Sequence, residues 1–170
     1  MESLKYTIIG SPIGDLLLAK TRVGMVRVAF EAENIDLQLR RIAESLNATP
    51  QENPQAFVTE RAQFDKYFAG QRREFQLPLD HRLTAGFRLE AQQYLANIPY
   101  GETRSYGELA ASLGSPGAAR AVGTACATNP LPLLLPCHRV VRADGSPGQF
   151  AGGTQAKLWL LSHETKIANL

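Results

Sequence analysis

The run SYGELAASLGSPGAARAVGTACAT, residues 105–128, decides the fold of the C-terminal part of this chain. Ser105 and Glu108 have the spacing of a capping box, in which each residue's side chain accepts a hydrogen bond from the other's backbone N–H. Gly114 marks the end of this first helix, and SPGA forms the turn to a second helical run. Two short helices joined by a Gly-containing turn of about four residues predict a helix-turn-helix.

The second helix of the pair, residues 118–128, consists almost entirely of small side chains, and Arg120 is its one long charged residue. A helix that reads bases in the major groove usually carries several Arg, Asn or Gln side chains. A smooth helix with one arginine suits the minor groove instead, where that arginine can fill a gap in the base stack. Two alternatives stay open: a helical hairpin packed into a core, and a solvated surface arginine.

The next run, LPLLLPCHRVV at residues 131–141, places a thiol and an imidazole inside an apolar segment. Either these residues form an ordinary core strand with an irregular end, or they form a rigid apolar mount that holds Cys137 in place. A cysteine becomes nucleophilic when a neighbouring group stabilises its thiolate, and His138 is adjacent in sequence. Consecutive residues of an extended segment point to opposite sides, so His138 can serve Cys137 only through a bend or a bridging water. The alternative is an inert buried cysteine.

A histidine base is usually oriented by a third group, often a carboxylate. Glu164 ends the helical run TQAKLWLLSHE, whose apolar face packs it onto the core. Asp144 is the rival, although it lies in the segment RADGSPG, where turn chemistry already explains an aspartate. The residues alone therefore predict a buried cysteine with an available histidine and carboxylate.

The first third of the chain has the pattern of a sheet. KYTIIG, DLLLAK and MVRVAFE are short apolar runs separated by Pro- and Gly-containing turns, which predicts a three-stranded antiparallel meander. Helical spacing follows at residues 34–47 and 55–69, with a polar connection between them. Residues 73–82, which contain Pro78, predict an edge strand. We expect an α/β domain at residues 1–82 and a helical domain at residues 83–170.

Composition excludes several classes of protein. Of 170 residues, 44% are hydrophobic and 20% charged, which is typical of a globular chain with a core. The formal net charge of +2 is too small to indicate nucleic-acid binding by itself. The two cysteines and three histidines show no zinc-binding spacing. No signal peptide or membrane span is visible, so we expect a soluble cytoplasmic protein.

Four segments together resemble the O6-alkylguanine-DNA alkyltransferases, also called methylated-DNA–protein-cysteine methyltransferases. They are IPYGETRSYGELA at 98–110, RAVGTACATNPLPLLLPCHRVV at 120–141, GQFAGG at 148–153 and KLWLLSHE at 157–164. The likeness covers residues 87–165, with a looser match over residues 1–80. It implies an α+β protein: an N-terminal three-stranded antiparallel sheet with helices, ribonuclease-H-like, followed by an all-helical C-terminal domain with a winged-helix-like helix-turn-helix.

The resemblance also implies roles for individual residues. Cys137 would accept the alkyl group, His138 would be its water-mediated base, and Glu164 would orient His138. Asn129 would brace the hinge after the recognition helix, and Tyr106 would donate to guanine N3. Arg120 would occupy the place that the flipped base leaves. The other DNA contacts would be Ser105, Ala119, Ala121, Gly123 and Thr124. The substrate pocket would comprise Val140, Gly148, Phe150, Ala151 and Lys157.

The implied activity is DNA repair. The protein would bind double-stranded DNA from the minor groove, flip O6-alkylguanine out of the helix and transfer the alkyl group irreversibly to Cys137, once per molecule. O6-methylguanine would be the main substrate, with O4-methylthymine left open, and no cofactor or metal is implied. We expect a monomer, with cooperative DNA binding left open. The alternatives are a sensor that binds alkylated bases without repair, and a hydrolase that uses Cys137, His138 and Glu164.

The chain departs from the family pattern at several positions. Phe150 and Ala151 stand where a Tyr–Ser pair is usual, which puts the preferred alkyl size in question. Ala127 replaces a basic residue of the recognition helix, so phosphate contacts are fewer. Gln92 follows Ala91 where a Val–Trp pair is common, so local packing must differ. Ligands of a structural zinc are missing from the N-terminal half.

Overall fold

The computed structural model describes residues 2–170 and divides into two compact units, one ending at Leu83 and one beginning at Thr84. The N-terminal unit is built on a four-stranded sheet: β1 (Glu2–Ile9), β2 (Leu16–Lys20), β3 (Met25–Phe30) and β4 (Ala48–Glu52), in the order β3-β2-β1-β4. The first three strands pair antiparallel, so the predicted meander is confirmed.

The fourth strand corrects the sequence-based prediction. β4 pairs parallel to β1, whereas residues 48–52 were expected to form a polar connection. Its polar, Pro-containing sequence is tolerated because β4 lies at the edge of the sheet. The predicted edge strand at residues 73–82 is wrong, since only a single bridge joins Met25 to Leu79. Pro78 has no N–H, and its carbonyl instead accepts from Met25 N at 2.8 Å.

Two helices complete the N-terminal unit: α1 (Ile35–Leu46) and α2 (Val58–Phe68), the second preceded by a 3₁₀ turn at Pro54–Phe57. Asn34 caps α1 by accepting from Leu37 N at 3.2 Å. Apolar side chains from α1 and the sheet form one core. Its buried members are Leu4, Leu17, Ala19, Val26, Ala29 and Ile42.

The C-terminal unit contains four helices: α3 (Gly86–Tyr94), α4 (Tyr106–Ser112), α5 (Ala119–Ala127) and α6 (Thr154–Ala168). The predicted helical C-terminal domain is confirmed, and the structure adds one short strand pair, in which β5 (Arg104–Ser105) lies parallel to β6 (Val140–Val141). Pairing over so few residues leaves no periodic pattern in the sequence. No helix within residues 2–170 has the length and apolar character needed to cross a membrane.

The apolar run at residues 131–141 is not the predicted core strand. Residues 132–134 form a turn, with Leu133 in the left-handed region at φ 73°, and Cys137–Arg139 form a 3₁₀ turn before β6. Prolines at 130, 132 and 136 remove the backbone donors that a central strand needs. The run is buried as predicted, but it carries Cys137 on a turn.

Candidate functional site

The first part of the site is the helix pair α4 and α5. Ser105 Oγ accepts from Glu108 N at 3.0 Å, and Glu108 Oε1 accepts from Ser105 N at 3.1 Å, which completes the capping box. Gly114 follows the helix at φ 76°, a conformation that favours glycine. The two predicted helices are therefore present at the expected positions.

The two faces of α5 differ. Val122 and Ala125 are buried, and the carbonyl of Ala125 accepts from the buried amide of Gln92 on α3 at 3.0 Å. This bond gives Gln92 a structural role at one of the unusual positions. The outward face carries mostly small or short side chains together with Arg120. Its exposed residues are Arg120, Ala121, Thr124 and Ala127.

Asn129 connects the end of α5 to the cysteine turn. Its Nδ2 donates to Leu135 O at 2.9 Å, and its Oδ1 accepts from Leu131 N at 3.0 Å. Leu135 O also accepts from Cys137 N at 2.8 Å. The buried Asn129 side chain therefore holds the backbone that positions Cys137.

Cys137 and His138 lie in the same tight turn, and the thiol-bearing residue is only 5% exposed. His138 Nε2 lies 2.8 Å from Glu164 Oε2 on α6, and both residues are 1% exposed. The rival carboxylate, Asp144, lies instead at an exposed tip, where it accepts from Ser146 N and Oγ. The structure thus brings Cys137, His138 and Glu164 together and leaves Asp144 outside.

Arg139, to which no role was predicted from the sequence, completes this buried cluster. Its Nε and Nη2 donate to Glu164 at 2.8 and 3.1 Å, and its Nη1 donates to Ile98 O at 2.8 Å. Glu164 therefore accepts hydrogen bonds from both His138 and Arg139, which are adjacent residues of the cysteine turn. The available signal was the presence of a guanidinium in an apolar run, which is costly unless a partner is buried with it.

The charge state of the cluster follows from burial and pairing. Burial would raise the pKa of Glu164, but the hydrogen bonds and charges of His138 and Arg139 outweigh it and hold the pKa well below its ordinary value. Burial lowers the pKa of His138, and Glu164 opposes that shift only in part. We infer a carboxylate beside a neutral imidazole whose Nε2–H donates to it.

This tautomer leaves His138 Nδ1 as a proton acceptor. Within residues 2–170, that buried nitrogen has no hydrogen-bond partner. A buried acceptor without a partner costs about 1–3 kcal/mol unless a water or a ligand serves it. The atom is therefore suited to receive a proton through a water molecule.

Tyr106 and Lys157 are neighbours beside the loop at Gly148. A Cβ at Gly148 would approach Tyr106 Oη to 2.7 Å, so the loop backbone packs directly against the phenol. Lys157 is buried, donates to Val140 O at 2.7 Å and lies 6.0 Å from the centre of the Tyr106 ring. Burial raises the pKa of Tyr106 above its ordinary value, and the nearby Cys126 and Cys137 sulfurs raise it further. The phenol therefore keeps its proton at neutral pH.

A cavity of about 320 Å³ opens beside the loop that follows Gly148. Its lining residues are Ala127, Gln149, Phe150, Ala151, Gly153 and Thr154. A cavity of about 150 Å³ is enough to hold a benzene molecule, so this space exceeds what a methyl group needs. Of the predicted pocket residues, Phe150 and Ala151 line it, whereas Gly148 and Lys157 lie beside Tyr106, and Val140 is bonded to Lys157.

Both units match known protein families. Residues 4–81 match the model of the 6-O-methylguanine DNA methyltransferase ribonuclease-like domain, and residues 86–166 match the model of the DNA-binding domain of the same proteins. The methylated-DNA–protein-cysteine methyltransferase of Mycolicibacterium paratuberculosis is 40% identical, over 96% of this chain and 93% of that protein. The constitutive enzyme of Bacillus subtilis is 37% identical, over 94% of each chain.

Solved structures show the same likeness. The crystal structure of Mycobacterium tuberculosis OGT in complex with DNA superposes with a TM-score of 0.85 at 37% identity, covering 96% of this chain and 94% of that one. The structure of Mycobacterium tuberculosis O6-methylguanine methyltransferase gives a TM-score of 0.83 at 38% identity, with the same coverage.

Proposed function

This chain belongs to the 6-O-methylguanine DNA methyltransferase family, and we propose that it repairs DNA by moving an alkyl group from O6 of guanine to its own Cys137. One observation carries the proposal. Cys137 is held on a buried turn whose next residue, His138, is hydrogen-bonded to an ionised Glu164. This is the arrangement expected of a nucleophile, its base and the group that orients the base.

In the proposed reaction, His138 takes the thiol proton of Cys137 through a water molecule at Nδ1. The thiolate then attacks the saturated carbon on O6, forming a C–S bond as the C–O bond breaks. The electron pair of that bond leaves with guanine, and Tyr106 offsets the charge by donating a hydrogen bond at N3. The proton that His138 took from the thiol passes through water to guanine, so the base leaves neutral and the imidazole is neutral again. The product thioether is a poor leaving group, so each molecule reacts once.

DNA would be bound through the outward face of α5. The small side chains at Ala119, Ala121 and Gly123 would allow the helix to approach the minor groove, with Ser105 and Thr124 contacting the backbone. The reacting atom is inaccessible in a stacked duplex, so the base must be flipped out. The guanidinium of Arg120 is exposed and makes no hydrogen bond or ion pair with the described residues 2–170, which leaves it available for the gap.

We propose O6-methylguanine as the main substrate, with O4-methylthymine as a second base to test. We also propose that the cavity lined by Phe150 and Ala151 admits larger O6 substituents. We also propose that residues 83–170 contain the DNA-binding and active-site domain, that residues 1–82 form a separate α/β domain, and that the protein acts as a monomer.

The proposal is tested by weighing the intact protein after incubation with a duplex that carries one O6-methylguanine. We expect a mass gain of one methyl group, located on the peptide that contains Cys137, and a plateau at one methyl per protein molecule. The unmodified duplex is the control and should give no gain. Tight binding to the modified duplex without a mass gain would instead indicate a sensor, and continued turnover on an ester would indicate a hydrolase.

Replacement of Gly148 by alanine should slow transfer by about 10- to 100-fold. The new Cβ would lie 2.7 Å from Tyr106 Oη and would displace the phenol, and misplacing a catalytic group by about 1 Å can cost up to 10²-fold. Single-turnover rates would measure the effect. Gly145→Ala is the matched control, because Gly145 also has a positive φ but a Cβ added there would meet no atom within 4 Å. Equal rates for the two variants would contradict the prediction.

A further inference from the structure

We propose that Arg142 binds a phosphate of the DNA backbone at the edge of the active site, next to the flipped nucleotide. This contact rests on the proposed function and extends it, because neither the helix-turn-helix pattern nor the reaction requires an arginine at this position. The ligand is a phosphodiester, which the planar guanidinium can bind through paired hydrogen bonds.

The first support is the strand register. β5 and β6 pair parallel, with Arg104 opposite Val140 and Ser105 opposite Val141. Arg142 directly follows β6, and Tyr106 directly follows β5 as the first residue of α4, so the two residues leave the same end of this strand pair. Arg142 is therefore placed close to Tyr106, the residue proposed to contact the flipped guanine.

The second support is that the Arg142 side chain is exposed while its backbone is fixed. Arg142 N donates to Ser146 O, and Arg142 O accepts from Gly145 N, both at 2.9 Å. Within residues 2–170, the guanidinium makes no hydrogen bond and no ion pair. Asp144 is the nearby acid, but its carboxylate Oδ1 accepts from Ser146 N and Oγ at 3.0 and 2.7 Å.

The electrostatics of the site agree with this placement. The positive charge of Arg142 opposes the burial-driven rise in the pKa of Tyr106. It also adds to the burial that lowers the pKa of Lys157. Its charge therefore acts at the active site although its side chain is exposed. Lys157 itself is buried and donates to Val140 O, whereas the Arg142 side chain is exposed and can reach the DNA backbone.

The first experiment measures the salt dependence of DNA binding for the wild type and Arg142→Gln, using a fluorescent duplex with one O6-methylguanine. Loss of one phosphate contact should weaken binding about 3- to 10-fold at low salt and reduce the slope of log K against log salt by about 1. Arg142→Lys should keep most of the slope. Arg61→Gln, at an exposed arginine on α2, is the charge-matched control and should match the wild type.

The second experiment replaces single phosphates on either side of the modified base by neutral methylphosphonates. At one position the wild type should lose affinity while Arg142→Gln is unaffected, which identifies the phosphate. Equal salt slopes for the wild type and Arg142→Gln, or equal losses in Arg142→Gln and Arg61→Gln, would overturn the proposal.

These outcomes are separate from failure of the proposed function. If the wild type gains no methyl group, the proposed function fails whatever the binding of the variants. If the wild type gains the methyl group and Arg142→Gln binds DNA as well as the wild type, only the phosphate contact fails. Thermal unfolding of each variant checks that the exposed substitutions leave the fold intact.

Discussion

Replacement of Cys137 by serine is expected to abolish alkyl transfer, with a loss of at least about 10³-fold in rate. Sulfur attacks saturated carbon as a thiolate, which a neighbouring base can form at neutral pH, whereas a serine hydroxyl stays almost fully protonated. Intact-protein mass after incubation with the O6-methylguanine duplex measures the loss. The substitution changes a single buried atom, so the variant should still fold and bind the modified duplex.

The chain offers a matched control in its second cysteine, Cys126, which is half-buried on α5. Burial, together with the nearby Cys137 sulfur, raises the pKa of Cys126 well above that of an ordinary thiol, so it stays protonated and is a poor nucleophile. Cys126→Ser should therefore keep the mass gain. A methyl group found on Cys126, or a mass gain in Cys137→Ser, would contradict the assignment of the acceptor.

Replacement of Glu164 by glutamine is expected to lower the free energy of unfolding by about 3–5 kcal/mol and the transfer rate by about 10²-fold or more. Glutamine leaves the buried Arg139 charge without its counter-ion, and removing one partner of a buried ion pair carries a cost of this size. It also removes the carboxylate that orients the His138 ring.

Urea unfolding and single-turnover kinetics measure these two effects of Glu164→Gln. The pKa of Glu164 is lower in the folded state, so its contribution to stability is complete above its unfolded pKa of about 4.3 and declines only at more acidic pH. The gap between wild type and variant should therefore be full at pH 7. Glu90→Gln, at an exposed position on α3, should change stability by less than about 0.5 kcal/mol. A variant with wild-type stability at pH 7 would contradict the buried ion pair.

Local patterns predicted the helices and the meander well. The capping box at Ser105 and Glu108 and the left-handed Gly114 are properties of a few adjacent residues, so they are readable without tertiary contacts. β4 was missed because its pairing partner, β1, is about 45 residues away and its own sequence is polar. Such a strand is specified by a neighbour in space rather than by its own pattern.

The predicted strand at residues 131–141 failed for a different reason. An apolar run signals burial but does not separate a strand from a buried turn. The three prolines removed backbone donors, and Asn129 replaced strand pairing with side-chain hydrogen bonds to the turn. Proline content would have been the better guide here.

The residue types at the site were predicted, but their geometry was not. Sequence adjacency suggested that Cys137 and His138 belong together, and the apolar face of the last helix made Glu164 the candidate carboxylate, a role that the resemblance also implies. The two hydrogen bonds from Arg139 to Glu164 depend on how α6 packs against the cysteine turn, which no local pattern encodes. Gln92 likewise looked like an unexplained departure until its hydrogen bond to Ala125 O was seen.

The buried cluster of His138, Arg139 and Glu164 has a consequence for electroneutrality. At rest, one positive and one negative charge cancel, and the imidazole carries none. In the proposed reaction the imidazole would take the thiol proton and become positive as the sulfur becomes negative, so the interior would stay neutral as a whole. Alkylation would then neutralise the sulfur and leave the negative charge on the departing guanine, and transfer of the imidazolium proton to guanine would restore the balance. The protein would therefore never hold an uncompensated charge out of water.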